Sequence, residues 1–136
     1  MKKTILLGWA VLMILFAVSP ACKKNKNGDG CGESAIKVTT TPAVGTVDPP
    51  APGTSFPLIV NITEGMPSSG VSIEVKARKD ESNSTPFFTE TRDGMSSNSF
   101  TITNTPPGVT CIVEVTVTSK SCNTNKWSGS YRFSGK

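Results

Sequence analysis

From Glu33 to the end of the chain, apolar residues recur at every second position, and no stretch keeps the three-and-four spacing of a helix. That period belongs to a strand with one face buried and the other in water. It is clearest over Thr110 to Thr118, where Cys111, Val113, Val115 and Val117 share a face against Ile112, Glu114, Thr116 and Thr118. Val71 to Arg78 repeats it, with Val71, Ile73, Val75 and Ala77 inward and Ser72, Glu74, Lys76 and Arg78 outward. Ser55 to Thr63 aligns Phe56, Leu58, Val60 and Ile62, and Pro57 lies near its start, where a missing N–H does least harm. Four further strands are predicted over Ala35 to Thr41, Pro86 to Thr91, Asn98 to Thr103 and Lys126 to Ser134.

Turn-forming residues divide these strands. Gly65 to Gly70, Asp93-Gly94, Thr105-Pro106-Pro107-Gly108 and Ser119 to Asn125 are each rich in Gly, Pro, Asn, Asp or Ser. Pro42 to Thr54 is a Pro- and Gly-rich connection with room for a short kinked strand around Val44 to Val47. Seven short alternating strands at this spacing predict an all-β, antiparallel sandwich over residues 33–136.

A different segment precedes it. Met1-Lys2-Lys3 is basic, Ile5 to Val18 carries no charge, and Ser19-Pro20-Ala21 puts small residues three and one positions before Cys22. The apolar run is shorter than the roughly 20 residues a membrane span needs, so residues 1–21 are expected to be a cleaved signal peptide. The Ser-Pro-Ala-Cys junction resembles the lipobox of bacterial lipoproteins, with Ser19 in place of the usual Leu. The resemblance implies that Cys22 becomes the first residue and carries lipid. An ordinary cleavage at the same bond would leave Cys22 as a bare terminus. Lys23 to Gly30 has no apolar residue, so residues 22–32 read as a flexible tether. Each buried methylene contributes about 0.8 kcal/mol, and two or three acyl chains on Cys22 would hold the protein in a lipid membrane. Lys23 directly after Cys22, with no Asp there, resembles lipoproteins routed to the outer membrane, facing either the periplasm or the medium.

Composition removes several functions. The chain has 14 basic and 10 acidic residues, and two of the lysines leave with the leader. The near-neutral remainder gives no reason to expect a nucleic-acid partner. No His is present, which removes Ser-His-Asp and Cys-His nucleophiles and most zinc sites. Asn25-x-Asn27-x-Asp29-Gly30 has the outline of a calcium loop, but Asn25 and Ile36 stand where its first Asp and twelfth-place Glu belong. No metal site or cofactor is expected. The acids Glu64, Glu74, Glu90, Asp93 and Glu114 are scattered over outward positions and turns rather than paired in a cleft.

Pro107-Gly108-Val109-Thr110-Cys111-Ile112-Val113-Glu114-Val115 resembles the corner and following strand of fibronectin type III domains, with Cys111 where that family usually has Tyr. The resemblance implies an immunoglobulin-like sandwich for residues 33–136. The chain is also similar to small lipoproteins of Bacteroidota that carry one such domain after a Cys-Lys-Lys tether, a group mostly of unassigned function. In that topology the first strand starts at the same pole as the last hairpin loop, which brings Cys31 near Cys122. An extended Thr110 to Thr118 separates Cys111 from Cys122 by roughly 25 Å, far beyond the ~7 Å that a disulfide allows. Export implies an oxidising compartment, so a Cys31–Cys122 bridge is expected, worth roughly 4–5 kcal/mol on the chain-entropy account. Cys111 is then a buried free thiol.

Two function classes stay open. One is a membrane-anchored, non-catalytic binding or structural module with a protein or glycan partner in the cell envelope. The other is a carbohydrate-binding or adhesion module that uses aromatic residues of the last strand. Trp127, Tyr131 and Phe133 share a strand face, which describes core residues as well as a sugar platform, with Trp127 nearest the loop. Phe87 and Phe88 are adjacent and expected to face opposite ways, so Phe88 is a second candidate contact. An enzyme is not expected.

Overall fold

The computed structural model describes residues 30–136, so the leader, Cys22 and the tether as far as Asp29 lie outside the described residues. Seven strands follow in order: β1 (Lys37–Thr41), β2 (Phe56–Glu64), β3 (Val71–Lys79), β4 (Phe88–Gly94), β5 (Ser97–Ile102), β6 (Thr110–Ser119) and β7 (Lys126–Ser134). They form a three-stranded sheet, β1-β2-β5, and a four-stranded sheet, β4-β3-β6-β7, with every pairing antiparallel. This is the all-β sandwich that the alternation predicts. The strand order is compatible with an immunoglobulin or fibronectin type III domain.

The core is what the period-two rows dictate. Leu58, Val60, Phe100 and Ile102 of the smaller sheet bury against Val71, Ile73, Val75, Val113, Val115 and Val117 of the larger. Such side chains contribute about 1.5–3 kcal/mol each on full burial. Register keeps the rows inward: Val75 lies opposite Val115, and Val113 opposite Tyr131. A slip of one residue would turn every one of these side chains to water.

Residues 42–54 do more than connect. After β1 the chain leaves the smaller sheet and runs along the outer edge of β7. The Gly45 N–H donates to Ser130 O at 2.8 Å, Arg132 N–H to Thr46 O at 2.9 Å, and Asp48 N–H to Arg132 O at 2.8 Å. Val47 and Arg132, and then Ala51 and Gly135, form parallel bridges. The short kinked strand expected near Val44 to Val47 is thus a discontinuous edge cover, and it satisfies groups that β7 would otherwise expose.

The opposite edge, β4, is guarded by charge. Glu90 and Arg92 sit opposite the buried Val75 and Ile73, so they occupy inward positions. The Arg92 guanidinium stacks 3.9 Å over the Phe100 ring and pairs with Glu90 at 3.5 Å. Inward-pointing charge on an edge strand discourages a further strand from adding there. Asn98 of β5 braces the β4–β5 turn: it takes Met95 N–H at 2.8 Å and gives its amide to Met95 O at 2.7 Å and Val60 O at 3.2 Å. Its buried carboxamide is therefore fully used. Gly65, just past β2, has φ +72°, and a Cβ there would lie 2.1 Å from Ala35 O. Only glycine lets the segment before β1 pass so close.

Candidate functional site

The described chain begins at a clasp. Cys31 and Cys122 are joined by a disulfide with Cα atoms 6.0 Å apart, closing a separation of 91 residues. Beside it, Asn125 reaches out of the β6–β7 loop. Its amide donates to Glu33 Oε2 at 2.9 Å and to Ser34 O at 3.0 Å, and its carbonyl oxygen accepts Ile36 N–H at 3.4 Å. The Ser121 hydroxyl donates to the other Glu33 oxygen. These bonds, led by Ser121 and Asn125, hold the Glu33 carboxyl below its ordinary value. They also explain why β1 begins at Lys37 and not at Ala35: residues 33–36 are committed to the loop rather than to the sheet.

Cys111 is buried and unpaired, with its thiol near Val109 O, and burial raises its pKa. It lies opposite Phe133, at the end of the sandwich away from the clasp.

The two aromatic contact candidates are packed. Trp127 is half-buried against the core, and its ring lies along its own strand over Gly129. A Cβ on Gly129 would come within 2.5 Å of that ring and within 2.6 Å of Val44 Cγ1. Glycine makes the space, and Val44 of the edge cover closes on the same spot. Phe88 is also half-buried against the core, and so is Phe87. Phe87 precedes β4 and donates its N–H to Ala77 O at 2.9 Å, so strand alternation does not divide the pair. Both Phe rings are part-covered and part-exposed. Tyr131 and Phe133 lie in the core, 2 % and 3 % exposed.

A concave site lies at the other pole. Where the chain crosses between the sheets, a cleft of about 300 Å³ opens. Its apolar lining comes from Pro42, Pro49, Ala51, Phe56, Pro57 and Ile59, and its inner side from Tyr131 and Phe133. Thr41 and Asp48 add the polar part. Phe56 meets Phe133 edge-on at 4.9 Å. The Tyr131 hydroxyl is buried with no hydrogen-bond partner. Leaving such a group unpaired costs about 1–3 kcal/mol. Burial, and then the negative charge of Asp48, push the Tyr131 pKa well above its usual value. Asp48 is half-buried and has no part in the ion pairs among the described residues.

Clasp and cleft are held apart by the strands themselves. β1 starts beside the clasp and ends at Thr41 in the cleft, and β7 starts after Asn125 and delivers Tyr131 and Phe133. Lys126 to Phe133 in extended conformation spans roughly 23 Å. Sequence reasoning found the bridge and the strand that carries Tyr131. It missed Asn125, Asp48 and the unpartnered hydroxyl, because each takes its role from a chain crossing that periodicity does not encode. No protein-family description matches the chain, and comparison with curated proteins finds no significant relative.

Proposed function

We propose that this chain is an exported lipoprotein, held at the outer membrane by acyl chains on Cys22, whose sandwich is a non-catalytic binding or structural module. The observation that carries the reading is the Cys31–Cys122 bridge. A structural disulfide suits an oxidising compartment outside the cytoplasm. It also fixes where the tether meets the fold. Cys31 joins the fold at the clasp pole, so a lipid at Cys22 would attach to the domain on the side opposite the cleft. A binding surface on the far side is the useful arrangement for an anchored module. The packed state of Trp127 and Phe88 favours this reading over an aromatic sugar platform on β7.

Metabolic labelling with a clickable fatty acid tests the anchor. The wild-type chain is expected to take the label and Cys22→Ser to take none, with Cys31, Cys111 and Cys122 unchanged as internal controls. An unlabelled wild type, or label that persists in Cys22→Ser, overturns the reading.

A further inference from the structure

We propose that the cleft between β1, β2 and the 48–51 segment binds a neutral alcohol or phenol carried on an apolar ring, with the ligand hydroxyl bridging Tyr131 and Asp48. The inference goes beyond the anchoring reading and does not depend on it.

Size and lining set the body of the ligand. A volume of about 300 Å³ lies at the lower end of small-molecule sites. Three prolines, Ala51, Ile59 and two phenylalanines offer an apolar ring flat surfaces and few polar partners. A sugar, with a hydroxyl on nearly every carbon, would leave most of them unpaired there.

The polar pair sets the functional group. Tyr131 is 2 % exposed, and its hydroxyl has no partner. The fold therefore does not use this oxygen, and Phe would fill the same place. Asp48 is held next to β7 by its N–H bond to Arg132 O, and its charge acts on Tyr131 without a hydrogen bond between the two side chains. A donor residue and an acceptor residue thus line one cleft with no hydrogen bond between their side chains. A ligand hydroxyl answers both, accepting from the phenol and donating to the carboxylate. A carboxylate or phosphate would be repelled by Asp48, and a hydrocarbon would leave both groups unpaired.

Three probes of one shape test this on the purified mature full chain: p-cresol, toluene and 4-methylbenzoate. Binding is read from saturable shifts of the Ala51 and Ile59 methyl resonances, with the core Ile73 as reference. p-Cresol is expected to bind at least about tenfold more tightly than toluene, since its hydroxyl makes two hydrogen bonds that toluene cannot, and 4-methylbenzoate to give no saturable shift. Tyr131→Phe is expected to reduce the preference for p-cresol over toluene, leaving only the part due to Asp48, and to raise the melting temperature, since it removes an unpaired buried hydroxyl. Absence of saturable shifts with p-cresol overturns the proposal. So does an unchanged preference in Tyr131→Phe, or a fall in its melting temperature.

Discussion

Asn125 Nδ2 donates to Glu33 Oε2 at 2.9 Å and joins the loop before the last strand to the segment before the first. Next to it the Cys31–Cys122 disulfide makes the same connection covalently. The N-terminal end of the sandwich is therefore secured twice, once by a bond that a reductant can break and once by a polar network that it cannot.

The network has a measurable worth. Asn125 is 3 % exposed and makes three side-chain bonds. Asn125→Ala leaves Ile36 N–H and the Ser34 carbonyl without that partner and should cost about 2–3 kcal/mol in denaturant unfolding. Reducing the disulfide should cost a further 2–5 kcal/mol or so. Because the two share one segment, their combined cost should differ from the sum of the separate costs, which a double-mutant cycle with Cys31→Ser and Cys122→Ser reads directly.

The Glu33 carboxylate makes the clasp sensitive to acid. Its folded-state pKa lies below the ordinary value of 4.5, owing first to the Ser121 hydrogen bond and then to Asn125 and Ser119. A lowered folded value means that the ionised form contributes stability that is fully present above the unfolded value. That contribution is lost as pH falls through the folded value. The difference in melting temperature between wild type and Glu33→Gln should be constant from pH 7 to about 5 and shrink below about 4.5. A difference that does not change with pH would contradict the assignment.

Thiol counting reaches both ends of the account. Cys111 is buried, and burial holds its thiol in the unreactive protonated form. The native protein should give no fast reaction with an aromatic disulfide reagent. In denaturant without reductant it should give one thiol per chain, Cys111, if Cys22 carries a thioether-linked lipid. Two thiols would show Cys22 to be bare.

Much of the fold is written in local pattern, and the site is not. The inward rows Val71, Ile73, Val75 and Val113, Val115, Val117 are legible because a strand's faces follow from its own sequence. The corner at Pro106-Pro107 is legible through residues that bias the backbone, whereas Asp93-Gly94, expected as a turn, closes β4 and the turn falls at Met95-Ser96. Asn125 reads only as a loop residue, since its partners, Glu33 and Ile36, lie about ninety positions earlier. Asp48 likewise gains meaning only when residues 42–54 settle along β7. Trp127 is the most exposed aromatic of its strand, in keeping with its place nearest the loop, but nothing local shows that Gly129 clears a bed for its ring or that Val44 closes over it.

The most direct measurement is the mass of the N-terminal peptide of the protein isolated from its native membrane. The account predicts a peptide that starts at Cys22 and exceeds its amino-acid mass by a diacylglyceryl group, with or without an amide-linked third chain. A peptide that retains the leader, or one that starts at Cys22 with no fatty-acid increment, would contradict it.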